Sequence, residues 1–320
     1  MANVLLIRWA AMGDIVMALP CAAAIKAQSP NDSLAWSVDT RFAELVTYQA
    51  DIDRVFSFDR RAVRGKGWNP LYWRRILRSY LAPRAFRADL AIDLQGHAKT
   101  TLALMFSGAK RKVTFAPKDL VARTLGGNSF LPERKHQSLQ FLDCLASAGY
   151  RSDGVVFRLP ISEANAKTAV ELFPSDPFVT FHLGSTHIKK QWQVEKFATV
   201  GRRLAEIGKL VVVVGGAGEQ ALVDQFAQYC PCVDLVGLTS ILVLAAGLQM
   251  SDLHVSGDTG TAHLAAAGGT PCVTVFGHMD PEVYHPYGQR AGVVESGGNI
   301  NQVEADAVIA RSLQVLSQRT

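Results

Sequence analysis

Apolar residues along this chain fall into short unbroken runs, separated by longer stretches in which they recur every three or four positions. In the first half, NVLLIRW (3–9), LAWSV (34–38), RVFSF (54–58), DLAIDL (89–94) and RKVTFA (111–116) read as strands. Residues 15–27, 41–48 and 97–107 read as helices, the first broken or bent near Pro20. Unbroken apolar strands between helices indicate a parallel sheet covered on both faces. Segment 59–87 differs, because arginines and aromatics crowd it; it reads as a mobile basic loop plus one helix.

The pattern then restarts. FVTFHL (178–183), KLVVVVGG (209–216), VDLVG (233–237), DLHVSG (252–257) and PCVTVFG (271–277) read as strands. Helices are expected at 194–208, 218–229, 239–249 and 261–269, with a terminal helix at 303–317. Segment 151–177, punctuated by Pro160, Pro174 and Pro177 and helical at 162–172, reads as a linker. The expectation is an α/β protein of two Rossmann-like, doubly wound parallel-sheet domains, 1–160 and 161–320, facing across a cleft. The terminal helix has the option of packing back on the first domain.

Composition narrows the class. With 320 residues the chain exceeds what one core usually serves, and 48% hydrophobic against 19% charged content suits a globular protein. No apolar run reaches the length of a membrane span, and the N-terminus lacks a signal-peptide pattern. Five scattered cysteines suit a reducing, cytoplasmic setting. Cys230-Pro-Cys232 lacks companions at zinc spacing, so no metal site is expected. Charge is uneven: residues 1–150 hold 21 Lys and Arg against 12 Asp and Glu, while the remainder holds 12 against 16. A basic first half calls for an acidic partner.

In open α/β sheets ligands sit beyond the C-terminal ends of strands, so the chemistry is sought there. AAMGD (10–14) follows the first strand. Asp14 is either a helix N-cap or a carboxylate that takes a proton. In the second half GSTHIKKQW (184–192), GGAGE (215–219), GLTS (237–240) and GDTGTAH (257–263) offer glycine, hydroxyls and lysine at helix starts, which suits phosphate. GGAGE lacks a third glycine, so an ordinary tight turn also explains it, and no full G-x-G-x-x-G follows the first strand, which disfavours a dehydrogenase. The alternative for Lys190 is a surface lysine, and for His263 a core histidine. The arginines of 60–87, interleaved with Trp68, Tyr72 and Trp73, fit a solvated face, RNA or a membrane surface.

LLIRWAAMGDIVMALP, FAELVTYQADIDRVF, DLAIDLQGHAKT, GSTHIKKQW, GGAGE and SGDTGTAHLAAAGGTPCVTVFGHMDP, with PYG at 286–288, stand in the order and spacing of one known family. Across nearly its whole length the chain resembles the ADP-heptose:lipopolysaccharide heptosyltransferases, glycosyltransferase family 9, of GT-B fold. The resemblance implies an inverting, metal-independent transfer of heptose from ADP-heptose, a substrate and not a cofactor, to an anionic lipopolysaccharide core acceptor. It casts Asp14 as general base and Lys190 as the cation on the departing diphosphate. Ser185, Thr186, Glu219, Thr239, Asp258, Thr259, Gly260 and His263 would hold the donor. Arg60, Arg61, Arg64, Gln95, Gly96 and Lys99 would meet the acceptor, with peripheral contact to the cytoplasmic face of the inner membrane and no nucleic-acid partner. Two departures leave donor and acceptor identity open. Ala10 and Ala11 stand where relatives often carry serines, and Gly277-His278-Met279-Asp280-Pro281 replaces Gly-Pro-Thr-Asp-Pro. The remaining readings are a family member with another nucleotide sugar or acceptor, and a non-catalytic nucleotide- or RNA-binding protein.

Overall fold

The computed structural model describes residues 1–59 and 70–318, without the side chains of 70–72. The chain divides into two compact units, Met1–Pro160 and Ile161–Thr320. The first runs β1 (Asn3–Ile7), α1 (Met12–Gln28), β2 (Ser33–Asp39), α2 (Glu44–Thr47), β3 (Arg54–Phe58), α3 (Pro70–Leu81), β4 (Leu90–Asp93), α4 (Ala98–Phe106), β5 (Arg111–Phe115), α5 (Leu120–Leu125), β6 (Asn128–Phe130) and α6 (Gln137–Ser147). The second runs α7 (Glu163–Leu172), β7 (Phe178–His182), α8 (Val194–Glu206), β8 (Leu210–Val213), α9 (Gln220–Ala227), β9 (Val233–Asp234), α10 (Ile241–Met250), β10 (Leu253–Gly257), α11 (Gly260–Ala267), β11 (Cys272–Phe276), α12 (Pro281–Tyr284), β12 (Val293–Glu295) and α13 (Ala305–Ser317).

Each unit holds one six-stranded parallel sheet, ordered β3-β2-β1-β4-β5-β6 and β12-β11-β10-β7-β8-β9. Within each unit this is the order 3-2-1-4-5-6 of dinucleotide-binding folds. The central strands explain the unbroken apolar runs: β7 and β10 are buried at every position, and β1 at all but its first. Sheets covered on both faces leave no polar side to alternate with. The direction of strand addition reverses between β1 and β4 in the first sheet, and between β7 and β10 in the second. Those two points are where loops diverge and a ligand crevice opens.

Several local readings change. Helix α1 begins at Met12, not at 15, and runs unbroken through Pro20. Twelve of its residues are buried, including Pro20, and it packs along α6, so tertiary contact outweighs the missing N–H. Expected helix 41–48 splits into a 3₁₀ turn at 40–42, capped by the Asp39 carboxylate, and the short α2. Strand 233–237 shrinks to two residues. Helix α13 finds its apolar partners within the second unit, against α8 and β11. Among the described residues no helix is long and apolar enough to cross a membrane.

Candidate functional site

In the first unit the loops after β1 and β4 stand side by side at the reversal point, because Ile7 and Asp93 are register partners. The Arg8 side chain, buried, donates from Nη1 to the Leu94 carbonyl and pairs through Nη2 with Asp14 Oδ2 at 2.7 Å. Its guanidinium also lies over the Phe141 ring, 5.3 Å from the centroid. Asp14 is not the N-cap. Ala11 is, and Asp14 occupies the third helical position, from which it accepts the Ala11 N–H at 2.9 Å. This is the reaching-back half of a capping box, set at the positive end of the helix dipole. The carboxylate is 30% exposed, so it is pinned from within and open to solvent.

Gln95, expected at the acceptor, braces this loop: its side-chain carbonyl accepts the N–H groups of Trp9 and Ala10. Trp9 itself stacks on Phe58 with ring centroids 4.1 Å apart and donates to Ser37. Asp93, fully buried, accepts the N–H groups of Gln95 and Gly96. Burial pushes its carboxyl up to about 6 despite those bonds, Thr100 and the nearby Arg8 charge. Gly96 adopts φ +67°, and a Cβ there would strike the Phe115 and Ala116 carbonyls, so the turn admits only glycine. Lys99 is exposed in the first turn of α4. Lys118, past β5, is pulled below its ordinary value by burial and Arg8, opposed by Asp14 and Asp93. Arg60, Arg61 and Arg64 lie outside the described residues.

In the second unit the loops after β7, β8 and β10 converge at the other reversal point. Lys190, in a 3₁₀ turn after β7, places Nζ 2.6 Å from Asp258 Oδ2. Two residues assigned to different parts of the donor thus hold each other. The Glu219 carboxylate accepts the Gly216 N–H at 2.8 Å and lies 3.2 Å from His182 Nε2. A Cβ at Gly184 or Gly215 would collide with that carboxylate, which explains both glycines without a dinucleotide fingerprint. Burial pushes Glu219 up, but His182 and the Gly216 N–H bring it below the ordinary carboxylate range.

From His182 a hydrogen-bond chain runs inward: Nδ1 to Thr259 Oγ1 (3.1 Å), Thr259 to Thr261 (3.0 Å), Thr261 to His254 Nε2 (3.0 Å), and His254 Nδ1 to Thr180 Oγ1 (3.0 Å). A carboxylate only accepts, so neutral His182 carries its proton on Nε2 and receives the Thr259 hydroxyl proton at Nδ1. Thr259 is the N-cap of α11, Gly260 its first residue, and His263 lies buried on the same helix. Ser185 and Thr186 lie in the loop after β7, past Leu183 and Gly184, and Thr239 precedes Ser240, the N-cap of α10. Among the described residues no group of three His, Cys, Asp or Glu is placed to hold a metal ion.

The model of glycosyltransferase family 9 (heptosyltransferase) matches residues 77–309. The chain belongs to glycosyltransferase family 9. Lipopolysaccharide heptosyltransferase 1 of Escherichia coli strain RS218 is 26% identical over 318 residues, covering 96% of this chain and 95% of that one. The E. coli heptosyltransferase WaaC with ADP superposes with a TM-score of 0.83 at 23% identity, covering 98% and 99%. A glycosyltransferase family 9 protein from Veillonella parvula gives 0.85 at 18% identity, covering 99% and 97%. The two six-stranded units are thus those of the GT-B heptosyltransferase fold, and this family 9 chain is a glycosyltransferase.

Sequence reasoning passed over Arg8, Asp93, Lys118 and His182. The first, second and fourth had a readable signal, a polar residue at the end of an otherwise apolar strand run. Lys118 had none beyond its place after a strand.

Proposed function

We propose that this glycosyltransferase moves heptose from ADP-heptose to the lipopolysaccharide inner core, on a Kdo- or heptose-lipid A type of acceptor, with inversion. The observation that carries the reading is Asp14, a carboxylate fixed by Arg8 and the Ala11 N–H yet open to solvent at the reversal point of the first sheet. Asp14 takes the acceptor hydroxyl proton while that oxygen attacks the anomeric carbon. The bond from that carbon to the diphosphate breaks, and ADP leaves with the electron pair. General-base help of this kind supplies roughly 10²–10⁴-fold.

The donor falls to the second unit. Lys190, with Ser185 and Thr186, faces the charge growing on the leaving diphosphate, so that no metal is required. Glu219 takes the ribose, Thr239 lies by the base, and Asp258, Thr259, Gly260 and His263 grip the sugar and phosphates. Arg60, Arg61, Arg64 and Lys99 meet the anionic acceptor, with Gln95 holding the loop beneath it. The enzyme works at the cytoplasmic face of the inner membrane, in peripheral contact. Support comes from the family, from the basic first half and from the named lipopolysaccharide heptosyltransferase relative. The test is transfer to purified core acceptors using ADP-heptose, ADP-glucose, UDP-glucose and GDP-mannose, with and without EDTA. Turnover with ADP-heptose alone, undiminished by EDTA, is expected. Preference for another nucleotide sugar overturns the donor, and an EDTA loss restored by Mg²⁺ overturns metal independence.

A further inference from the structure

Helix α4 is apolar on both sides. Ala103 and Leu104 enter the core beside Thr100 and Thr101, which bond to His97 and Asp93, while Leu102, Met105 and Phe106 face solvent. The spacing of these three puts them on one helical face. Neighbouring helices extend the pattern, since α3 packs on α4 and α4 on α5, and the Tyr80 and Phe106 rings meet with centroids 6.0 Å apart. Trp73 and Leu77 of α3 are about half exposed, and Leu120 of α5 is 75% exposed. Seven of the eleven exposed large apolar side chains among the first unit's described residues lie on these helices of 12, 9 and 6 residues. Scattered apolar residues need no explanation, but a concentration on one layer marks a surface that something covers.

The charge around this layer indicates what covers it. Residues 70–125 hold eleven Lys and Arg against three Asp, one of them the buried Asp93. Where α3 and α4 end, Arg84, Arg87, Ser107, Gly108 and Lys110 line an open cleft of about 530 Å³. It adjoins the starts of β4 and β5, the opposite end of the strands from Asp14, and so is separate from the catalytic loops. A two-fold contact between copies through this face would set like charges against each other. Apolar and aromatic side chains among arginines match the boundary of an anionic bilayer, where rings sit at headgroup level and cations meet lipid phosphate.

We propose that the outer layer of α3, α4 and α5 docks on an anionic lipid bilayer, with headgroup phosphates at the Arg84–Arg87–Lys110 cleft. The choice of a bilayer rests in part on the proposed amphiphilic acceptor. Flotation of the full chain with phosphatidylcholine vesicles, with or without phosphatidylglycerol, tests it. The vesicles hold neither acceptor nor nucleotide, so a failed docking leaves the transfer reading standing, and a failed transfer assay leaves docking standing. Binding is expected only with phosphatidylglycerol, and weaker as salt rises. Met105→Glu with Phe106→Glu, and separately Arg84→Ala with Arg87→Ala, should each lower partitioning about tenfold or more while transfer to a detergent-dispersed acceptor stays normal. These are surface positions, and unchanged thermal melts verify folding. Equal binding to phosphatidylcholine alone, variants that float like the parent, or a dimer dissociated by Phe106→Glu would each overturn the proposal. So would retention of RNA in place of vesicles.

Discussion

Arg8 Nη2 and Asp14 Oδ2 lie 2.7 Å apart, with the arginine buried and the carboxylate at the surface. The pair changes what a substitution at Asp14 reports. Asp14→Asn keeps an acceptor for the Ala11 N–H but leaves a buried guanidinium without its paired carboxylate, with Asp93 as the remaining nearby anion. Breaking a buried pair costs roughly 3–5 kcal/mol, and less here because Asp14 is partly solvated. We expect kcat to fall about 10²-fold or more, together with a modest loss of stability. Arg8→Met combined with Asp14→Asn should recover the melting temperature and not the turnover. Near-normal kcat in either variant would leave Asp14 as a helix-capping residue only.

The Lys190–Asp258 pair makes a second, opposed prediction. Lys190→Ala removes the cation from the diphosphate and strands a largely buried carboxylate. ADP affinity and kcat should both drop, each by about tenfold or more. Asp258→Asn leaves the ammonium without a competing anion, so ADP should bind as well as before or better while turnover declines. Calorimetric titration with ADP beside steady-state kinetics separates the two. Wild-type ADP affinity in Lys190→Ala would return Lys190 to the surface.

The central strands were legible because a parallel sheet covered on both faces writes itself as unbroken apolar runs, as in NVLLI and KLVVVV. The short edge strands β6 and β12 carry no such run, and residues 117–150, with α5 and α6, went unassigned although Leu139, Leu142 and Leu145 repeat at helical spacing. The loops after the strands could be located from the sequence. Their pairings did not follow, because Lys190 and Asp258 stand 68 residues apart and meet only through the β7–β10 register. Local pattern likewise left Asp14 as either an N-cap or a proton acceptor, and could not give its third helical position or its bond to Arg8.

His182 joins the carboxylate of Glu219 to the N-cap hydroxyl of α11. A side chain that only fills space could be truncated without loosening either partner. His182→Ala should weaken ADP binding about tenfold, because Glu219 and Thr259 lose their common support. His182→Gln can donate to the carboxylate and accept from the hydroxyl, so it should restore much of that loss. Equal affinity in the alanine variant, or no rescue by glutamine, would reduce His182 to packing.

His254, fully buried between Thr180 and Thr261, is pushed down to about 3 by burial and, secondarily, by His182. The unfolded chain takes up a proton there below about pH 6.5, whereas the folded chain does so only near pH 3. Between those values the unfolded state binds more protons, so stability falls as pH falls through the window. The contribution is fully present above pH 6.5. By pH 5 the loss from this group should reach about 2 kcal/mol relative to pH 7. His254→Gln has no proton to gain and can still meet both threonines. The difference in unfolding free energy between parent and variant, from denaturant titrations at pH 7 and pH 5, isolates the effect. A difference that does not change with pH would mean that His254 titrates alike in both states and that the buried chain admits a charged imidazole.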